Sequence, residues 1–264
     1  MLRTFPTPEP PRLRVRVPAG HVTIDPAEVA ETTVELEALR DDDATRDAIE
    51  RATVEQRGDE IVVEIEKSGW GLFSRSAKVG VLIRCPQGAS LDCNAASADL
   101  LATGLLADVT VRTASGDVVL SHVGDLAVTS ASGDVRVEEL QGSGRVNTVS
   151  GDTEIRGVRS MLAVNSVSGD VELGRVDEDV SVQSVSGDQR LRSIRAGEIE
   201  LKSVSGDVAV GVLVGTRLFI DANSTSGDVR SELDVGDKPA EGIGHEASLR
   251  VRTVSGDIAV TRAT

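Results

Sequence analysis

The chain has 264 residues, a formal net charge of −15 and very few rings: three Phe, one Trp and no Tyr. That charge excludes a phosphate-rich partner, because nucleic-acid binding depends on Lys and Arg neutralising the backbone, and it argues equally against anionic lipid. No apolar stretch approaches the ~20 residues needed to cross a bilayer, and Met1-Leu2-Arg3 leads into Pro-rich sequence instead of a signal-peptide core, so the expectation is a soluble, cytoplasmic protein with no direct membrane insertion.

In chain order, residues 1–11 read as a flexible Pro-rich tail. Residues 12–96 read as N-terminal strands, a short helix and a cap. Leu13, Val15 and Val17 alternate into Pro18-Ala19-Gly20 and resume at Val22 and Ile24; Val79, Val81, Ile83 and Cys85 lead likewise through Pro86-Gln87-Gly88 to Leu91 and Cys93. Period-two alternation of this kind marks half-buried strands. Between these devices lie a strand over Thr33–Leu39, a helix around Asp43–Ala52 capped by Asp42 or Asp43, and a strand through Ile61, Val63 and Ile65. The Gly-flanked segment Ser68-Gly69-Trp70-Gly71-Leu72-Phe73-Ser74 carries the only Trp. Trp70, Leu72 and Phe73 are therefore the candidate partner-binding residues, since aromatic groups are favoured interface anchors, although the same rings could plug the end of the fold. Cys85 and Cys93 have no metal or redox spacing and read as reduced, buried thiols.

From residue 97 the chain is periodic. Ser-Gly-Asp begins at Ser115, Ser132, Ser150, Ser168, Ser186, Ser205, Ser226 and Ser255, with gaps of 17, 18, 18, 18, 19, 21 and 29 residues, after a degenerate copy at Ser97-Ala98-Asp99. A hydroxyl stands two residues before each triad Ser, as at Thr113, Thr148 and Ser166. Apolar residues stand at the two alternate positions before that, Gly144 excepted, and alternation resumes after the triad. Each unit is thus strand, turn, strand, and 18 residues leave no room for a crossover helix. The fold that lets such units persist is an all-β, parallel β-solenoid of ~18-residue coils stacked at the ~4.8 Å strand spacing, right-handed by the crossover rule. An insert near residues 234–248 interrupts the solenoid of 97–264 and is expected to shield its C-terminal end.

The triads form a structural turn ladder: Ser115-Gly116-Asp117, then Gly133 and Asp134, Gly151 and Asp152, Gly169 and Asp170, Gly187 and Asp188, Gly206 and Asp207, Gly227 and Asp228, Gly256 and Asp257. Each Gly is expected as the third residue of a type II turn at positive φ. Each Asp is expected to accept a hydrogen bond from a backbone N–H at its own corner. Carboxylates stacked ~5 Å apart could alternatively recruit calcium, but one Gly per coil leaves too few oxygens for the ligand shell of calcium-binding solenoids. No cofactor or metal is therefore assigned.

One residue before the triad stand Val149, Val167, Val185, Val204 and Val254. Strict alternation turns them outward as an apolar stripe. A bend at the corner would instead bury them and send the hydroxyls out, and the aggregation hazard of an exposed valine ladder favours this inward reading.

The repeated [ST]-x-S-G-D-V, preceded by the strands of Val79 to Leu91, resembles the bacterial putative-adhesin β-strand-repeat family, the toastrack domain, over roughly residues 12–264. The resemblance implies a β-solenoid without established catalytic residues, some members of which act in cell-envelope stress alongside phage-shock-type membrane proteins. The residues agree that the chain is not an enzyme: His21, His122 and His245 are scattered, and no nucleophile, base and orienting group can be assembled from spacing. The expected function is a non-enzymatic protein-interaction scaffold with a protein partner. The alternatives are a cation-binding solenoid or a structural rod that self-associates through its ends.

Overall fold

The computed structural model describes all residues except 67–76, 234–244 and 264. The candidate anchors Trp70, Leu72 and Phe73 and most of the C-terminal insert lie outside the described residues. The fold is nearly all-β, with parallel strands in a nearly closed, solenoid-like sheet, and the chain divides into two compact units, Met1–Asp134 and Val135–Thr264.

The first unit contains β1 (Leu2–Pro6), β2 (Arg12–Ala27), β3 (Glu31–Ala38), α1 (Asp43–Glu50), β4 (Thr53–Arg57), β5 (Glu60–Glu64), β6 (Val79–Pro86), β7 (Ala89–Thr113) and β8 (Val118–Ser130). Alternation places Leu13, Val15, Val17, Val22 and Ile24 of β2 in the core, and one continuous strand passes through Pro18-Ala19-Gly20 where the sequence suggests a break. On one side β2 pairs in parallel with β7; on the other it pairs with β5 and then β6. The first coil in the chain is therefore an interior layer of its unit. Antiparallel strands finish this side: β3 on β6, β1 on β3 and β4 on β5. The helix begins as the sequence indicates, with Asp42 Oδ1 accepting from the N–H of Thr45 at 2.8 Å.

Residues 1–11 are not a tail. Leu2–Pro6 pairs with Glu31–Glu35, and Thr7 is buried with its hydroxyl 2.8 Å from that of Thr32. The Pro-rich composition misleads because β1 pairs only with β3, and on such an edge a proline need leave no ladder hydrogen bond unmade.

The second unit contains β9 (Val135–Leu140), β10 (Gly144–Thr148), β11 (Thr153–Val158), β12 (Leu162–Ser166), β13 (Val171–Val176), β14 (Val180–Ser186), β15 (Gln189–Ile194), β16 (Gly197–Ser205), β17 (Val208–Val212), β18 (Arg217–Ser226), β19 (Val229–Ser231), β20 (Glu246–Ser255) and β21 (Ile258–Arg262). One face stacks β10, β12, β14, β16, β20 and β18 in parallel. The other stacks β9, β11, β13, β15, β17, β21 and β19. Register repeats every 18 residues where the triads do, as in Val146↔Val164↔Val182, and these residues form one buried column. Gly144, the apolar pattern's exception, has the side chains of Leu140 and Leu162 in the space a Cβ would occupy.

Sequence order is broken at the end of this stack. The final coil, β20 and β21, lies between β16/β17 and β18/β19. The 29-residue gap before the last triad is the trace of that inversion, since the chain must pass back over one coil.

Candidate functional site

The triad aspartates share a recurring intercoil contact. Asp99 Oδ1 accepts from Asp117 N at 3.1 Å, and Asp117 Oδ1 from Asp134 N at 3.0 Å. In the second unit the donors follow the spatial order of the coils: Asp170 to Asp152 (2.9 Å), Asp188 to Asp170 (2.8 Å), Asp207 to Asp188 (2.9 Å), Asp257 to Asp207 (2.8 Å) and Asp228 to Asp257 (2.9 Å). The acceptor thus serves the next coil, not its own corner as the sequence suggested. Each of these carboxylates cross-links two layers through Oδ1. Among the described residues no group of three or more His, Cys, Asp or Glu side chains is gathered to hold a metal ion.

The expected positive φ is found at Gly187, Gly206 and Gly256 but not along the whole ladder. Gly116, Gly133 and Gly169 have no positive φ, so the type II corner is not what is built there. A Cβ on Gly133 would lie 2.0 Å from the carbonyl oxygen of Gly116, and one on Gly169 would lie 2.1 Å from that of Gly151. Glycine stacks on glycine because the coils come closest at this corner.

Three identical pentapeptides show that the corner has two forms. In Ser166-Val167-Ser168-Gly169-Asp170, Ser166 Oγ accepts from Gly169 N at 3.1 Å and donates to Gly169 O at 3.2 Å. In Ser184-Val185-Ser186-Gly187-Asp188, Gly187 has φ +127° and its N–H turns to Ser205 O of the next coil at 3.2 Å. Ser203-Val204-Ser205-Gly206-Asp207 follows the second form, with Gly206 N donating to Ser255 O at 3.1 Å. The hydroxyls of Ser184 and Ser203 are then buried without a protein partner among the described residues. Sequence cannot distinguish these forms, because the neighbouring coil decides which acceptor the glycine N–H finds.

The hydroxyl row faces inward: Thr113, Ser130, Thr148, Ser166, Ser184, Ser203 and Thr253 are buried. The valines before the triads consequently face outward, and the inward reading is corrected. Val149, Val167, Val185, Val204 and Val254 are 46–52% exposed. On β14, β16 and β20 the strand runs through the triad Ser, so alternation holds to the corner. Row by row the valines lie on β10, β12, β14, β16 and β20 or immediately after them, all on one face of the second unit. In the first unit the equivalent positions hold Ala96, Ala114 and Ala131, and on β18 the position holds Thr225.

Two residues before the valines stand Asn147, Asn165, Gln183, Lys202 and Arg252, each able to donate hydrogen bonds; Asn165 Nδ2 already donates to Asn147 Oδ1 at 3.0 Å. A groove of ≈ 340 Å³ runs between the two rows, lined by Asn165, Gln183, Val185, Lys202 and Val204 among others. Two acids on this face are paired with neighbouring cations. Lys202 Nζ lies 2.9 Å from Glu200, and Arg252 with Arg250 holds Asp221, whose carboxyl is lowered from its ordinary value by the hydrogen bond from Arg252.

No catalytic constellation emerges from the histidines. His21 lies against Glu37 at 3.6 Å, and His245 Nε2 accepts from Arg195 Nε at 3.0 Å. Cys85 and Cys93 are buried as expected, and burial pushes both thiols up to about 12.

The family model Toastrack DUF4097 matches residues 12–261. No protein of curated function matches the chain. Among solved structures, a putative lipid binding protein from Parabacteroides distasonis ATCC 8503 is 12% identical with a TM-score of 0.50, over 98% of this chain and 96% of the other. A putative adhesin from Bacteroides fragilis NCTC 9343 is 13% identical (TM-score 0.42; 98% and 96% covered), and one from Parabacteroides merdae ATCC 43184 is 10% identical (TM-score 0.44; 98% and 95% covered). At such identity the likeness of the first concerns the fold alone.

Proposed function

The chain belongs to the toastrack family, and from that premise we propose that it is a non-enzymatic protein-interaction scaffold whose contact surface is the valine-lined face of the second unit, with a regulatory role in cell-envelope stress as the family resemblance implies. The observation that carries the contact surface is the row of five half-exposed valines along a parallel sheet. Scattered apolar residues on a surface need no explanation, whereas contiguous apolar patches mark contacts. Here the patch recurs once per coil, is flanked by hydrogen-bond donors and occurs only where the sheet is regular.

A scaffold reading also fits what the coils are built to do. Intercoil carboxylate bonds and glycine stacking hold the face in a fixed register, so a partner meets a preformed surface and binding needs little reordering. Val185→Asp/Val204→Asp tests this. The substitutions place charge in the centre of the stripe without touching the core, and crosslinking to a specific protein identified by mass spectrometry should be lost in a variant whose melting curve is unchanged. Retention of that partner by the folded variant would rule out the valine face as the contact surface.

A further inference from the structure

We propose that the valine face pairs with the same face of a second copy of this chain, forming a two-fold symmetric dimer; this rests on the scaffold reading and names its partner. Three parallel rows define the surface. The valines form the centre. On one side, about 7 Å away at two residues along the strand, stands a row of side chains that each carry N–H donors: Asn147, Asn165, Gln183, Lys202 and Arg252. On the other side, at the corner beyond the triad serines, stands a row made wholly of acceptors: Asp152, Asp170, Asp188, Asp207 and Asp257. Backbone N–H groups pin their Oδ1 atoms in line.

Such a surface is complementary to itself. A two-fold axis parallel to the stacking direction lays valine row on valine row and reverses the strand direction. Each donor row then faces the partner's acceptor row, as an isologous interface requires. Lys202 and Arg252, which already hold Glu200 and Asp221, each meet a second carboxylate, and the Asn and Gln amides supply further N–H groups to Oδ2. Glu200 and Asp221 on this face are already held by Lys202, Arg250 and Arg252.

Six stacked strands of five to ten residues present about 29 Å along the stack and roughly 700 Å² in all, close to the ~800 Å² per partner of a standard stable interface. The valine row ends at Thr225 on β18 and gives way to alanine in the first unit.

The test is sedimentation equilibrium of the full chain from micromolar to several hundred micromolar protein, comparing wild type, Val185→Asp/Val204→Asp and Lys202→Glu, with thermal melting of each. The expected result is a concentration-dependent dimer for wild type and at least ~100-fold weaker association for the valine variant at unchanged melting temperature. Lys202→Glu, which leaves the stripe intact and sets acid against acid, should also weaken the dimer. Wild type that remains monomeric throughout overturns the proposal, as does a dimer indifferent to both variants. A monomeric wild type that still crosslinks to a different protein, lost on Val185→Asp/Val204→Asp, overturns the second copy as partner while leaving the scaffold reading in place. A monomer without any valine-dependent partner removes both.

Discussion

Asp152 Oδ1 accepts a hydrogen bond of 2.9 Å from the backbone N–H of Asp170, and Asp170 Oδ1 in turn accepts one of 2.8 Å from the N–H of Asp188. The triad aspartate is therefore a rivet between layers, which explains why the motif demands an acid or its isostere instead of any turn former. Asp170→Ala should cost about 1 kcal/mol by orphaning the Asp188 N–H. Asp170→Asn keeps an acceptor and removes like-charge repulsion along the row, so it should cost less than Asp170→Ala. Urea unfolding of the two variants checks the order, and equal stabilities would show that the bond contributes nothing.

The two corner forms make identical residues unequal. Ser166→Ala removes the acceptor for Gly169 N and should destabilise by about 1 kcal/mol. Ser203→Ala deletes a buried hydroxyl that has no protein partner among the described residues, so its effect should be neutral or stabilising. The comparison needs only two melting curves, because the pentapeptides are the same.

Gly169→Ala would put a Cβ 2.1 Å from the carbonyl oxygen of Gly151, so that the stack must open. A loss of about 3 kcal/mol is expected. Gly58, whose φ is +64° and where a Cβ would meet nothing within 4 Å, serves as the control: Gly58→Asn tolerates the left-handed region and should cost only a small fraction of that loss.

Outward valine and inward valine differ only by position in the alternation. Val167→Asp should leave stability within about 0.5 kcal/mol of wild type. Val164→Asp, on the buried column of the same coil, should prevent folding of the second unit, because an unpaired carboxylate would replace a core side chain.

The buried thiols give a pH signature. With both folded-state pKa values raised to about 12 from an ordinary 9.0, the unfolded chain releases these protons first as pH rises. Their contribution to stability is therefore full below pH 9 and declines between about 9 and 12. Native protein should resist thiol-specific reagents at pH 8 and react at both Cys85 and Cys93 once unfolded. Rapid native-state labelling would contradict the burial of β6 and β7.

The amino-acid sequence by itself determined the repeating unit, the strand alternation and the apolar columns, because side-chain direction along a strand has period two and the triads recur at the length of one coil. Leu13, Val146 and Val251 are buried for that local reason, and Asp42 caps α1 for another. Tertiary structure alone decided which layer lies against which. The inward places of β2 and β20, the strand made by Leu2–Pro6, the two hydrogen-bonding forms of one pentapeptide and the outward turn of Val185 all depend on a neighbouring coil. Sequence period is blind to that neighbour, because parallel coils of equal pattern can stack in any order until the connections, the corner contacts and the edges select one.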